Sequence, residues 1–111
     1  GFVLIDLPGR QEKNLAHDLD LPPEILDTSA HIDTVCVRPS FRGQGLQKRL
    51  VRAAEERLHG MGITHFFATI HPDNIASLSS MLALGYRVGV TKIKYGGVLR
   101  HVVVKDDASA L

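Results

Sequence analysis

The stretch VCVRPSFRGQGLQKRL, residues 35–50, determines how the rest of the chain is organised. An apolar run that favours a strand ends at Pro39, a turn containing Gly43 and Gly45 follows, and a helical pattern begins at once. The first backbone N–H groups of such a helix have no partner inside the helix, and its dipole places positive charge there. Basic side chains add to this charge at Arg42, Lys48, Arg49 and Arg52. Because basic residues are unfavourable at a helix start, the pattern predicts that an anion such as a phosphate binds at the turn.

The composition of the chain indicates one domain and argues against several classes of function. The 111 residues fit a single domain, and 13 basic residues against 12 acidic ones give a net charge of +1, too small to suggest a nucleic-acid-binding protein. Cys36 is the only cysteine, so no internal disulfide can form and we expect a cytoplasmic location. No apolar segment is long enough to cross a membrane, residues 2–7 lack the features of a signal peptide, and the histidines lack the paired spacing of metal ligands. We therefore expect no nucleic-acid partner, no membrane partner and no metal.

Hydrophobic periodicity predicts an alternation of strands and helices. We expect strands over residues 2–5, 31–37, 64–70, 86–94 and 98–105, and helices over residues 43–60 and 75–84. A long polar excursion that includes paired prolines separates the first two strands, and such connections are often functional or mobile. The order of elements predicts an α/β domain with a mixed sheet. Within a single domain over residues 1–111, we expect a first strand with the excursion (1–30), a core (31–105) and a frayed tail (106–111).

Two separated motifs carry a family resemblance. Arg42, Gly45 and Gln47 stand where one family has Gln or Arg, two residues, Gly, one residue, then Gly or Ala, so that Gln47 is a departure. Asn74 stands eleven residues before Gly85, which an aromatic residue follows. Together these motifs make most of the chain resemble the GNAT superfamily of acyl-CoA-dependent N-acetyltransferases, without the usual N-terminal elements of that domain. The resemblance implies a mixed, mostly antiparallel, twisted sheet with helices on both faces.

The resemblance also implies a site for acetyl-CoA. Backbone N–H groups of the turn would bind the pyrophosphate of coenzyme A, and they belong to Arg42, Gly43, Gln44, Gly45, Leu46 and Gln47. The open edge of the preceding strand would pair with the pantetheine amides and polarise the thioester carbonyl, through Val35, Cys36 and Val37. Asn74 is expected to cap the second helix and to contribute to coenzyme binding. We interpret Cys36 as a small buried residue rather than as a nucleophile.

We expect proton transfer to involve His31, Asp33 and Tyr95. His31 lies eleven positions before Arg42, where some members of the superfamily carry the carboxylate that acts as base, and alternation puts Asp33 on the same side of the strand. The two residues are equally consistent with an ordinary polar pair at the start of a strand. The usual acid of the superfamily, a tyrosine seven positions after the asparagine, is Met81 in this chain. Its role would fall to Tyr95, Ser79, Ser80 or water.

These features predict an N-acetyltransferase that moves the acetyl group of acetyl-CoA to a primary amine by direct attack in a ternary complex. The acceptor would be a small molecule or a peptide, because a donor site does not define an acceptor. Tyr95 and Arg100 are candidates for the acceptor side, where Arg100 would meet an acidic group. Three alternatives stay open: a non-catalytic acyl-CoA-binding module, an inactive fragment of an acetyltransferase, and a nucleotide-phosphate binder that uses the same turn. The edge of the first strand would also allow a homodimer.

Overall fold

A computed structural model describes residues 2–36 and 45–106. Five strands form the sheet: β1 (Phe2–Asp6), β2 (Ser29–Cys36), β3 (His65–Ile70), β4 (Arg87–Lys94) and β5 (Val98–Asp106). Two α-helices are present, α1 (Leu46–Gly60) and α2 (Ile75–Ala83), together with two 3₁₀ helices, η1 (Leu15–Leu19) and η2 (Pro23–Thr28). Each predicted strand and helix is therefore present near its expected position. Residues 37, 43 and 44, at predicted ends of β2 and α1, and the expected tail beyond Asp106 lie outside the described residues.

The strands are arranged in the order β1-β2-β3-β5-β4. Only the β2–β3 pair is parallel, while β1–β2, β3–β5 and β4–β5 are antiparallel. This arrangement confirms the mixed, mostly antiparallel sheet. The parallel pair needs a long connection, which α1 provides, whereas β4 and β5 are joined directly by the tight turn at residues 95–97.

Both α-helices pack on the same face of the sheet. Their buried side chains meet those of three strands in one apolar core, formed by Val51, Leu58, Met81 and Leu84 on the helices and by Ala30, Ile32, Phe66, Ala68, Ile70 and Val103 on the strands. Gly85 ends α2 with a φ of 98°, a conformation that glycine adopts without the strain of a side chain. We call this side of the sheet the helix face.

One residue of α1 departs from the expected pattern. Helical periodicity places Glu55 on the polar side of α1, yet it is 8% exposed in the core. Its carboxylate is satisfied there, because the Tyr86 hydroxyl donates a hydrogen bond of 2.7 Å and the Lys105 ammonium donates one of 3.0 Å. Burial and the neighbouring carboxylate raise the pKa of Tyr86. The two hydrogen bonds of Glu55 therefore link α1 to Lys105 of β5 and to Tyr86, the residue directly before β4.

The polar excursion covers the opposite side of the sheet, which we call the excursion face. Its apolar side chains Leu15, Ala16 and Leu26 pack against buried side chains of β3 and β5, namely Phe67, Val102 and Val104. The segment thus closes the second half of the core, a packing role that the sequence did not predict. Helices lie on both faces as predicted, with 3₁₀ helices on this one.

A buried asparagine organises the excursion. Asn14 is 1% exposed, and its side-chain amide donates hydrogen bonds to the Gly9 carbonyl at 2.7 Å and to the Ser29 hydroxyl at 2.8 Å. Its side-chain oxygen accepts a bond of 2.9 Å from the Ala16 N–H and so caps η1. The excursion is thereby held by polar contacts as well as by apolar packing. Across residues 2–36 and 45–106, no helix combines the length and apolar character needed to cross a bilayer.

Candidate active site

The two central strands pair over only part of their length. The β2–β3 ladder consists of Ser29 with His65, Ala30 with Phe66, and His31 with Phe67. Beyond it, β2 runs on to Cys36 and β3 to Ile70, and in the described part of the chain neither continues the pairing. Within residues 2–36 and 45–106, the second half of β2 therefore hydrogen-bonds to β1 on one edge and has no strand partner on its other edge.

A β-bulge marks the point where the strands separate. Leu4 pairs with Thr34 and Ile5 pairs with Ile32, so Asp33 has no partner on β1. A bulge bends its strand and changes the direction of a side chain. The bulge thus disturbs the simple alternation that would place His31 and Asp33 in equivalent positions.

A cleft of about 430 Å³ opens at this separation. It is lined by Asp33, Thr69, Ile70, His71, Asn74, Ser77, Tyr95 and Arg100. The cleft thus brings together residues from β2, from the end of β3, from the start of α2 and from the β4–β5 hairpin. These residues are distant in sequence and are mostly polar.

On the helix face, the cleft is bordered by the starts of two helices. Asn74 caps α2, because its side-chain oxygen accepts a hydrogen bond of 3.2 Å from the Ser77 N–H. The Gln47 side-chain amide donates a weak hydrogen bond of 3.5 Å to the Ser77 hydroxyl, so the first turn of α1 lies beside the first turn of α2. The positive ends of both helix dipoles therefore meet at the same border of the cleft.

The first turn of α1 is suited to bind an anion. Gly45 precedes the helix with a φ of 72° and makes no side-chain cap, and the first turn contains no acidic residue. The first hydrogen bond of the helix runs from the Arg49 N–H to the Gly45 carbonyl at 3.1 Å. By helix geometry, the N–H groups of Leu46, Gln47 and Lys48 therefore have no partner within the helix.

On the excursion face, the cleft is lined by Thr69, Tyr95 and Arg100, and Asp33 lines it from the bulge of β2. Alternation along β3 puts Thr69 on the same side as Phe67, and alternation along β5 puts Arg100 on the same side as the buried Val102. Tyr95 is 65% exposed, and its hydroxyl lies 3.4 Å from the Thr69 hydroxyl. The cleft therefore passes through the sheet from one face to the other.

His31 does not line the cleft. It is 5% exposed, its ring meets Phe67 edge to face at 6.2 Å, and its Nε2 accepts a hydrogen bond of 3.0 Å from the Leu15 N–H. Burial lowers the pKa of His31, and this effect outweighs the opposing carboxylates of Asp33 and Asp6. The imidazole is thus neutral, with its proton on Nδ1, which lies 3.8 Å from Asp6 Oδ2. The hydrogen bond at Nε2 and the burial of the ring give His31 a role in fixing η1 to the sheet.

The other predicted residues fall into three groups. Asp33, Tyr95 and Asn74 line the cleft, while Gly45, Leu46 and Gln47 begin α1 beside it. Val35 and Cys36 belong to the open-edged half of β2, where only their backbone is described. Val37, Arg42, Gly43 and Gln44 lie outside the described residues.

Of the candidate proton donors, only Tyr95 lines the cleft. Met81 is 3% exposed within the core of the helix face, and Ser79 and Ser80 are absent from the cleft wall. Residues 2–36 and 45–106 contain no group of three or more His, Cys, Asp or Glu side chains placed to hold a metal ion.

Sequence reasoning missed Thr69 and Ser77 as cleft residues. Thr69 is the one polar residue between Phe66 and Ile70. A single polar residue in an apolar strand could have indicated a position near a polar site. Ser77 carried no such signal, because it lines the cleft only through the packing of α2 against α1.

Comparison with known proteins agrees with this architecture. A model of the acetyltransferase (GNAT) family matches residues 19–86. The ribosomal-protein-S18-alanine N-acetyltransferase from Escherichia coli is 18% identical with a TM-score of 0.64, over 71% of this chain and 54% of that one. The Salmonella typhimurium protein yncA, solved with its cofactor acetyl-CoA, is 21% identical with a TM-score of 0.65, over 74% of this chain and 50% of that one. The aminoglycoside acetyltransferase AAC(6')-Ib in complex with coenzyme A is 24% identical with a TM-score of 0.66, over 76% of this chain and 48% of that one. No curated protein sequence is significantly similar.

The class of protein follows from the match to the family model, which covers more than half of the chain. The chain belongs to the acetyltransferase (GNAT) family. The solved structures, at this level of identity, show the same fold, and the chain spans about half of their length.

Proposed function

We propose that the chain is an N-acetyltransferase that uses acetyl-CoA as donor and a primary amine as acceptor, with direct attack in a ternary complex. One observation carries this proposal: the cleft at the separation of β2 and β3 has an anion-binding border on one face and polar side chains on the other. Such a through-going cleft lets two substrates approach one point from opposite sides.

The helix face suits coenzyme A. The first N–H groups of α1 would bind its pyrophosphate together with the turn before them, and the start of α2 adds a second positive dipole end. The open edge of β2 from Asp33 to Cys36 would pair with the pantetheine amides, because backbone groups at a strand edge need hydrogen-bond partners. When bound, acetyl-CoA supplies an activated acyl group and a thiolate leaving group.

Two side chains in the cleft are suited to move protons. The Asp33 carboxylate is exposed on the wall and would accept a proton from the acceptor ammonium, directly or through water. The Tyr95 hydroxyl would donate a proton to the departing thiolate, since Tyr95 lines the same cleft and Met81 is buried elsewhere. His31 is left out of this scheme because its ring nitrogens face Leu15 and Asp6.

The donor site is tested by Gln47→Glu, which places a negative charge in the first turn of α1. An acidic residue there favours the helix by about 0.3–1 kcal/mol, whereas it would repel a bound pyrophosphate. We expect unchanged or higher thermal stability together with coenzyme A affinity lowered about tenfold, measured by calorimetry. Gln11→Glu, an exposed change far from the cleft with the same effect on net charge, is the control. Equal coenzyme A affinity in both variants would contradict the proposed donor site.

The reaction is tested by release of thiol from acetyl-CoA in the presence of pooled primary amines. We expect amine-dependent release that is lost in Asp33→Asn. Tight binding of coenzyme A with no release on any amine would point to the non-catalytic acyl-CoA-binding alternative. Preferential stabilisation by ATP over coenzyme A would point to a nucleotide-phosphate binder.

A further inference from the structure

Among residues 2–36 and 45–106, two side chains of opposite charge line the cleft without an ion-pair partner. Asp33 is exposed and makes no described hydrogen bond or ion pair, and Arg100 makes no ion pair within residues 2–36 and 45–106. The Arg100 guanidinium uses one N–H group on the Leu99 carbonyl at 3.1 Å and has further donors to offer. The two charges share the cleft but do not pair with each other.

The neighbouring lysines have a carboxylate partner, which distinguishes Arg100 from them. Lys92, paired with Arg100 across the β4–β5 ladder, and Lys94 both bind the Asp18 carboxylate of η1. Asp18 is 14% exposed, and although partial burial acts to raise its pKa, the hydrogen bonds from Lys94 and Lys92 leave the pKa lowered. Lys92 and Lys94 thus share one carboxylate partner, whereas the Arg100 guanidinium lines the cleft.

We propose that the acceptor is a zwitterionic amine that carries an acidic group, of the amino acid class. The ammonium of the acceptor lies against Asp33 and its carboxylate lies against Arg100. An arginine fork matches the two oxygens of a carboxylate, and Tyr95 and Thr69 supply hydroxyl groups nearby. This inference rests on the proposed function, and it identifies the substrate class of that same site.

The position of Arg100 separates this site from the proposed anion site of the donor. Alternation places Arg100 on the excursion face, whereas the starts of α1 and α2 lie on the helix face.

In the transfer, the amine nitrogen forms a bond to the acetyl carbon and the carbon–sulfur bond breaks. The ammonium loses two protons overall: Asp33 passes one to solvent, and the other is balanced by protonation of the thiolate. No further reactant is needed.

The test compares a pool of L-amino acids with the matching pool of L-amino acid amides as acceptors, in the wild type, Arg100→Gln and Arg87→Gln. Arg87 is exposed on β4 at the far end of the ladder and does not line the cleft, so Arg87→Gln makes the same change of charge elsewhere. We expect the wild type and Arg87→Gln to prefer the acids at least tenfold in kcat/KM, and Arg100→Gln to lose most of that preference. An equal rate for both pools, or a preference that survives Arg100→Gln, would overturn the proposal. A parallel fall in coenzyme A affinity in Arg100→Gln would also overturn it, because Arg100 would then serve the donor.

Calorimetry of the same two pools on protein saturated with coenzyme A separates this inference from the proposed function. Binding of acids but not amides, lost in Arg100→Gln, supports the inference even if no acceptor is acetylated, and in that case the transferase proposal fails. Turnover of amides as fast as acids supports the transferase proposal and overturns the inference. Absence of both binding and turnover with the acid pool overturns the inference.

Discussion

The two halves of β2 differ in almost every respect although they form one strand. Its first half, from Ser29 to His31, pairs with β3 and is covered by η1. In its second half, Thr34 to Cys36 pair with β1 and, within residues 2–36 and 45–106, with no other strand, while the unpaired Asp33 lines the cleft. The bulge at Asp33 is the boundary between them. The difference shows that a polar residue in this strand is buried or exposed to the cleft according to whether β3 still pairs with β2 at that position.

The largest effect predicted from this comparison is on activity. Asp33→Asn removes the proposed base and should lower kcat with the preferred acceptor about 100-fold, the lower end of what general base catalysis provides. His31→Gln keeps an acceptor for the Leu15 N–H and should change kcat only within a few fold. Thiol-release kinetics measure both. A large fall in kcat for folded His31→Gln would instead identify His31 as the base.

For the free energy of unfolding we expect the reverse order, with a larger effect from replacing His31 than from replacing Asp33. His31→Ala leaves the buried Leu15 N–H without its acceptor and removes a ring packed on Phe67, so we expect a loss of about 2–3 kcal/mol of unfolding free energy. Asp33→Ala changes an exposed side chain with no described partner and should stay within about 0.5 kcal/mol. Urea unfolding of both variants measures this. Similar losses for the two would remove the distinction between the halves.

A smaller effect on stability should follow from disturbing η1, which covers the first half of β2. Gly89 is the bulged residue of β4, and a methyl group there would overlap the side chain of Leu19 in η1. We expect Gly89→Ala to cost about 1 kcal/mol, because overpacking outweighs the entropy gained from replacing glycine. Gly60→Ala meets no atom and serves as the control in urea unfolding. An increase in stability for Gly89→Ala would mean that η1 does not press on β4.

The smallest predicted effect is a dependence of stability on pH. Because burial lowers the pKa of His31 in the folded protein, the unfolded chain binds a proton more readily. The contribution of neutral His31 is therefore fully present above about pH 6.5, the ordinary histidine value, and is lost as the pH falls through the folded pKa. For one proton the slope is at most about 1.4 kcal/mol per pH unit. His31→Gln should flatten this part of the profile, measured by urea unfolding from pH 7 to 5, and an unchanged slope would contradict the assignment.

Much of the fold was predictable because local patterns agree with it. Strand and helix periods, the glycine after α2 and the glycine turn of the hairpin each specify local structure with little help from distant residues. Glu55 was mispredicted because the partners that make its burial favourable, Tyr86 and Lys105, are far away in sequence. The packing of the excursion was not predicted for a similar reason: its few apolar residues are spread among polar ones, and only the sheet face that they meet shows their role.

For the candidate site, the sequence by itself determined the helix start that we propose as an anion site, Asn74 as a helix cap, and the family motifs. These features depend on residues close together in the chain, whose backbone geometry is locally set. Only the tertiary structure decided that His31 faces η1 while Asp33 faces the cleft, and that Thr69, Tyr95 and Arg100 join it there. Those outcomes depend on where two strands stop pairing and on one bulge, and a single sequence does not encode register in a form that periodicity can reveal.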